Sequence, residues 1–177
     1  MKNKRWLPLL LALLLLLFCS CEADGGDFGN EQTRPLERIR EALLSGNAET
    51  YESAFPEDFL RIYRSNYEDI DSVVETLLHA GLERDTSAYG LDTALTFELL
   101  KSENYPVSAL SAQVYYDNID EFLYNLPIDS VEEARALEVE IVRKGSFGEK
   151  TSVLEFTVLK IEGVWYLHPA DFGTLLN

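Results

Sequence analysis

The stretch ALEVEIVRKGSFGEKTSVLEFTVLKIEGVWYLH, residues 136 to 168, decides the fold class. Leu137, Val139 and Ile141 alternate with Glu138 and Glu140 in the period-two pattern of a strand that shows one face to a core and the other to water. Ser146 to Glu149, with Gly148 inside it, predicts a hairpin connection from this strand, Ala136 to Arg143, into a second over Thr151 to Ile161. Glu162-Gly163 predicts a tight turn into a third, Val164 to His168. Three strands joined by short turns make an antiparallel meander.

Upstream the period is helical. From Pro35 to Ser45 the apolar residues Leu36, Ile39, Leu43 and Leu44 recur at helix spacing, with Pro35 suited to a first turn and Gly46 to the position past the end. Asn47 can cap a second helix through Tyr51, Ala54 and Phe55, and Pro56 with Glu57 and Asp58 restarts it toward Phe59, Leu60 and Tyr63. A further helix, Ile70 to Arg84, sets Ile70, Val73, Val74, Leu77, Leu78 and Leu82 against Ser72, Glu75, Thr76, His79 and Glu83. Thr93 to Ser102 reads as a half-buried strand. Leu110 to Leu126, through Tyr115, Ile119 and Phe122, reads as one more helix, ended by Pro127. Helices first and a meander last give an α+β domain with helices covering one sheet face.

The chain of 177 residues is 46% hydrophobic and 26% charged, which fits one compact domain with short tails. Its formal charge of −16 excludes nucleic acid, since such a surface repels a polyanion. Two cysteines and two histidines are too few for a thiol-rich metal site, so neither a metal nor a cofactor is expected.

The N-terminus is an address. Lys2, Lys4 and Arg5 precede an apolar, leucine-dominated run from Trp6 to Phe18, about 13 residues and short of the roughly 20 that span a bilayer. A basic region followed by a short apolar one predicts a secretory signal, residues 1 to 20, and an extracytoplasmic mature chain. Glu22 to Thr33 is rich in glycine and acids and reads as a flexible tether within residues 21 to 34, leaving 35 to 177 as the domain.

Phe18-Cys19-Ser20-Cys21 resembles the lipobox of bacterial lipoproteins, which implies that Cys21 becomes the first mature residue, carries the lipid on its sulfur and holds the protein to the outer face of the cell membrane. Ordinary secretory cleavage near Cys21 is the alternative. If Cys19 leaves with the signal, the domain has no free thiol for catalysis. The signal also takes three cations and no anions from the formal −16, leaving −19 for residues 21 to 177.

The order of elements resembles the NTF2-like fold, a curved sheet wrapped on helices, and Lys160-Ile161-Glu162-Gly163-Val164-Trp165-Tyr166 is similar to the ending of many small lipoproteins of this type from Gram-positive bacteria, most of which have no assigned activity. A cystatin-like sheet around one helix is the rival fold. The resemblance implies a cone whose mouth can take a ligand. Some members, such as ketosteroid isomerases and scytalone dehydratases, place an acid or base there. The motif itself carries over no catalytic residue.

Catalytic candidates therefore come from patterning. Glu155, on a strand face with Val153, Thr157, Leu159 and Ile161, would be a general base if buried, and a solvated carboxylate otherwise. Glu98 and Glu140 read the same way. His79, one turn from Glu75 and Glu83, can be an oriented imidazole or a surface histidine, and His168 falls at a rim. Asp117-Asn118-Ile119-Asp120-Glu121 lacks the glycine and distal glutamate of a calcium loop. Tyr115, Tyr116, Trp165 and Tyr166 are the ligand-contact candidates, with Tyr115 in the core and Tyr116 and Tyr124 at the edge as the plainer reading. Together these features lead to the expectation of a non-catalytic envelope domain that binds a protein partner or a small apolar ligand. An enzyme with a pocket carboxylate is the alternative.

Overall fold

The computed structural model describes residues 28–66, 69–115 and 122–176, and the fold is α+β. Four helices come first: α1 (Arg34–Ser45), α2 (Ala48–Glu52), α3 (Glu57–Asn66) and α4 (Ile70–Tyr89). The strands follow as β1 (Ala94–Asn104), β2 (Gln113–Tyr115), β3 (Phe122–Asn125), β4 (Val131–Gly145), β5 (Gly148–Ile161) and β6 (Val164–Leu167). The main sheet is antiparallel in the order β1-β4-β5-β6, and β2 pairs with β3 in a separate two-stranded sheet.

Local chemistry sets the helix ends. Pro35 opens α1, Leu36, Ile39 and Ala42 form its buried stripe, and Gly46 closes it at φ 72°, its N–H donating to the Ala42 carbonyl at 2.8 Å. The Asn47 side chain then accepts from the Thr50 N–H at 2.8 Å and caps α2. Helix α3 turns Phe59, Leu60 and Tyr63 inward.

In the sheet, Leu137, Val139 and Ile141 point into the core, and Phe156 and Val158 join them from β5. Helix α1 packs on both edge strands, β1 and β6. An aromatic group locks the helices to the C-terminal tail: Phe172 makes edge contacts with Tyr51, Phe55, Phe59 and Tyr63 at centroid distances of 5.6, 4.9, 5.4 and 4.8 Å. The Tyr51 hydroxyl donates to the Phe172 carbonyl, and burial pushes its ionisation well above the usual phenol range.

Three expectations are corrected. The helix expected over Leu110 to Leu126 is replaced, among its described residues, by β2 and β3. Val114, opposite Tyr124, is buried with it, whereas Tyr115 is exposed. Tyr115 is thus not core and Tyr124 is not an edge residue. The β-branched and aromatic content of Val114, Tyr115, Phe122 and Tyr124 favours a strand, and four apolar residues at helical spacing were too few to separate the two periods. Tyr116 and residues 117–121 lie outside the described residues.

The packed structure also includes Phe28 to Arg34, which composition assigned to the tether. Phe28 stacks edge-on against Phe97 at 5.9 Å, and a 3-10 turn, Glu31–Thr33, is capped by Asn30 around a fully buried Thr33. A single aromatic anchored the end of a stretch whose composition argued for a tether. Finally, β4 and β5 run further toward each other than alternation suggested, so the connection shrinks to Ser146 and Phe147.

Candidate functional site

The longest helix and the longest hairpin end together. The last turns of α4 bring Arg84, Asp85, Ala88 and Tyr89 against Arg143 of β4 and Lys150 of β5, and these six residues line a cleft of about 320 Å³. Arg143 and Lys150 stand directly opposite each other in the β4–β5 register, a like-charge pair that the sheet alone would disfavour. Asp85 offsets it from the helix: its Oδ2 accepts from Arg143 Nε at 2.8 Å, and Arg84 Nε lies 3.7 Å from Oδ1. Asp85 is the one carboxylate among the six, so the cleft carries three cations in a chain whose formal charge is −16.

Beside the cleft, two turns are stapled into a rigid end. The Asp92 carboxylate accepts from the Ser146 N–H at 3.0 Å and the Ser146 hydroxyl at 2.6 Å, and these bonds hold Asp92 below the usual carboxylate range. The Phe147 N–H donates to the Tyr89 carbonyl at 2.9 Å. Gly145 is required here, because a Cβ on it would lie 2.3 Å from the Tyr89 carbonyl oxygen. This frame presents two apolar side chains to water, Leu91 at 96% exposure and Phe147 at 76%. Lys144, next to Arg143 on β4, pairs with Glu149 at 2.8 Å, which raises its pKa.

None of the residues singled out from sequence lines this cleft. Glu155 is exposed and opposes Glu138, on a face that is open at Val153 and becomes buried only at Leu159. Glu98 opposes Glu140 on the neighbouring strand pair. His79 is exposed, with Nε2 3.8 Å from Glu75, and its ring stands over Gly46, where a Cβ would meet it at 2.7 Å. Trp165 is buried in the core, Tyr166 is half-buried, and the Tyr115 hydroxyl donates to Gln113 Oε1 at 2.9 Å. Cys21 lies outside the described residues.

His168 is more buried than a rim position implies. Its Nδ1 accepts from the Ala170 N–H at 3.2 Å, and burial pushes its pKa down to about 4, so the ring is neutral at pH 7. A second charge cluster ties the helices: Arg64 of α3 reaches Glu52 of α2, Asp71 of α4 at 3.2 Å and Glu57 at 3.7 Å. Glu52 is buried, Oε1 has no hydrogen-bond partner, and burial raises its pKa against the opposing pull of Arg64. Arg64 occupies the centre of this cluster, which therefore links helices.

Among the described residues no group of three or more His, Cys, Asp or Glu is placed to hold a metal, and no helix is long and apolar enough to cross a membrane. What the arrangement can do chemically is hold an anionic group by charge-assisted hydrogen bonds from Arg84, Arg143 and Lys150. One signal of this site is local, the cations Arg143, Lys144 and Lys150 gathered around a glycine turn, and Arg84 and Asp85 join them only through the fold. Compared with known proteins, the chain matches no protein-family model and no curated relative.

Proposed function

We propose that the chain is a lipid-anchored, extracytoplasmic binding or accessory domain of the cell envelope, with an NTF2-like fold, that binds an anionic group without transforming it. The observation that carries the anchoring is the order of Lys2, Lys4 and Arg5, the apolar run to Phe18, and the small Ser20 before Cys21. Supporting the cone are helices on one side of an antiparallel sheet, α1 meeting both sheet edges, and register shifts near Leu99 and Val131 of the kind that bend strands. The cationic cleft favours an anionic ligand over the small apolar one expected from sequence. A catalytic carboxylate or imidazole needs a cavity around it, and Glu155 and His79 both face water. Replacing Cys21→Ser in cells tests the anchor: the protein leaves the membrane fraction for the medium, or its precursor stays uncleaved. Unchanged membrane retention of a processed chain refutes it.

A further inference from the structure

We propose that the stapled end of the domain, residues 90–92 with Ser146 and Phe147, docks on the anionic headgroups of the bilayer that holds the anchor. Leu91 and Phe147 enter the interfacial layer, and Arg84, Arg143 and Lys150 take a headgroup phosphate. This rests on the anchoring reading above.

Three independent observations converge on this end. The first is apolar exposure in a rigid setting. Leu91 and Phe147 are the two most exposed of the large hydrophobic residues in the described chain, and both are borne on turns tied by the Asp92–Ser146 and Phe147–Tyr89 hydrogen bonds. Side chains presented on a fixed frame lose little backbone freedom when they enter an apolar phase. The second is charge. The cleft beside them gathers Arg84, Arg143 and Lys150 on Asp85; with Asp92 in the turn and the Lys144–Glu149 pair counted, four cations still stand against three carboxylates, whereas the outer sheet face sets Glu98 against Glu140 and Glu138 against Glu155. An anionic leaflet repels that acidic face and attracts the cationic end, so the charge distribution selects one orientation although the chain as a whole is acidic.

The third is reach. The seven steps from Cys21 to Phe28 extend at most about 25 Å. Phe28 packs on Phe97, which pairs with Ile141, four residues from Gly145 at the hairpin end, or about 13 Å along the strand. An anchored domain therefore keeps this end within touching distance of the membrane, and a cation cluster beside protruding apolar residues is the chemistry of an interfacial contact.

The intact chain carrying Phe147→Trp, reconstituted in vesicles of brominated phosphatidylcholine with phosphatidylglycerol, reads the contact directly. Trp6 leaves with the signal, so the unsubstituted mature chain supplies the background from Trp165 alone, and intact-mass measurement reports signal removal and the lipid on Cys21 separately. The expected result is quenching and a blue shift of the introduced indole beyond that background, lost in vesicles of phosphatidylcholine alone, at high salt, or when Arg84→Ser and Lys150→Ser are added. Equal quenching in both vesicle types, unaffected by those substitutions, overturns the headgroup contact. No quenching in a chain whose mass includes the lipid overturns docking and transfers this end to a protein partner. A mass without the lipid overturns the anchor itself, and docking falls with it.

Discussion

Replacing His168→Asn is expected to remove most of the histidine-linked loss of stability between pH 7 and pH 4. His168 accepts the Ala170 N–H through Nδ1 at the start of a 3-10 turn, a role that an asparagine oxygen also fills, so the substitution keeps the cap and deletes the titration. Burial lowers the folded pKa from 6.5 to about 4. Between those values the unfolded chain binds a proton that the folded chain refuses, so the imidazole makes stability rise with pH across this window. The contribution is fully present above the unfolded pKa and is lost as pH falls toward 4. A shift of this size is worth about 3 kcal/mol. Carboxylates also titrate there, and Glu52, whose folded pKa is raised, works in the opposite sense, favouring the fold as pH falls. Both effects cancel in the difference between parent and variant. Urea unfolding of the two proteins at pH 7, 5.5 and 4 measures it. A parent that loses less than about 1 kcal/mol more than His168→Asn over this range would refute the burial argument.

Phe172→Ala removes the ring shared by Tyr51, Phe55, Phe59 and Tyr63, and a loss of about 3–5 kcal/mol is expected in thermal or denaturant unfolding. Glu155→Lys turns the opposed Glu138–Glu155 pair into an attractive one, so a gain of about 0.5 kcal/mol is expected at low salt, shrinking as salt is added.

The periodic parts of the fold could be read directly. Leu137, Val139 and Ile141 announce β4 because a sheet with one wet face must alternate, and Gly46 and Asn47 mark the α1–α2 junction because their backbone needs are local. The Glu162-Gly163 turn was equally legible, and both residues adopt positive φ, 51° and 76°. The described parts of Leu110 to Leu126 carry helical spacing yet form strands because their partner decides their period: Val114 is buried only through its pairing with Tyr124 and the packing of both on the core. Phe28 could not be placed for the same reason, since its partner, Phe97, lies far along the chain.

The site divides along the same line. The sequence by itself determined the class of the domain and its acidity, because those depend on composition and on neighbours a few residues apart. Only the tertiary structure decided that Glu155 and His79 stand in water, that Arg84 and Asp85 meet Arg143 and Lys150, and that Leu91 and Phe147 share one rigid end. Burial and charge pairing belong to contacts between distant segments, and closing the chain around a core is what creates them.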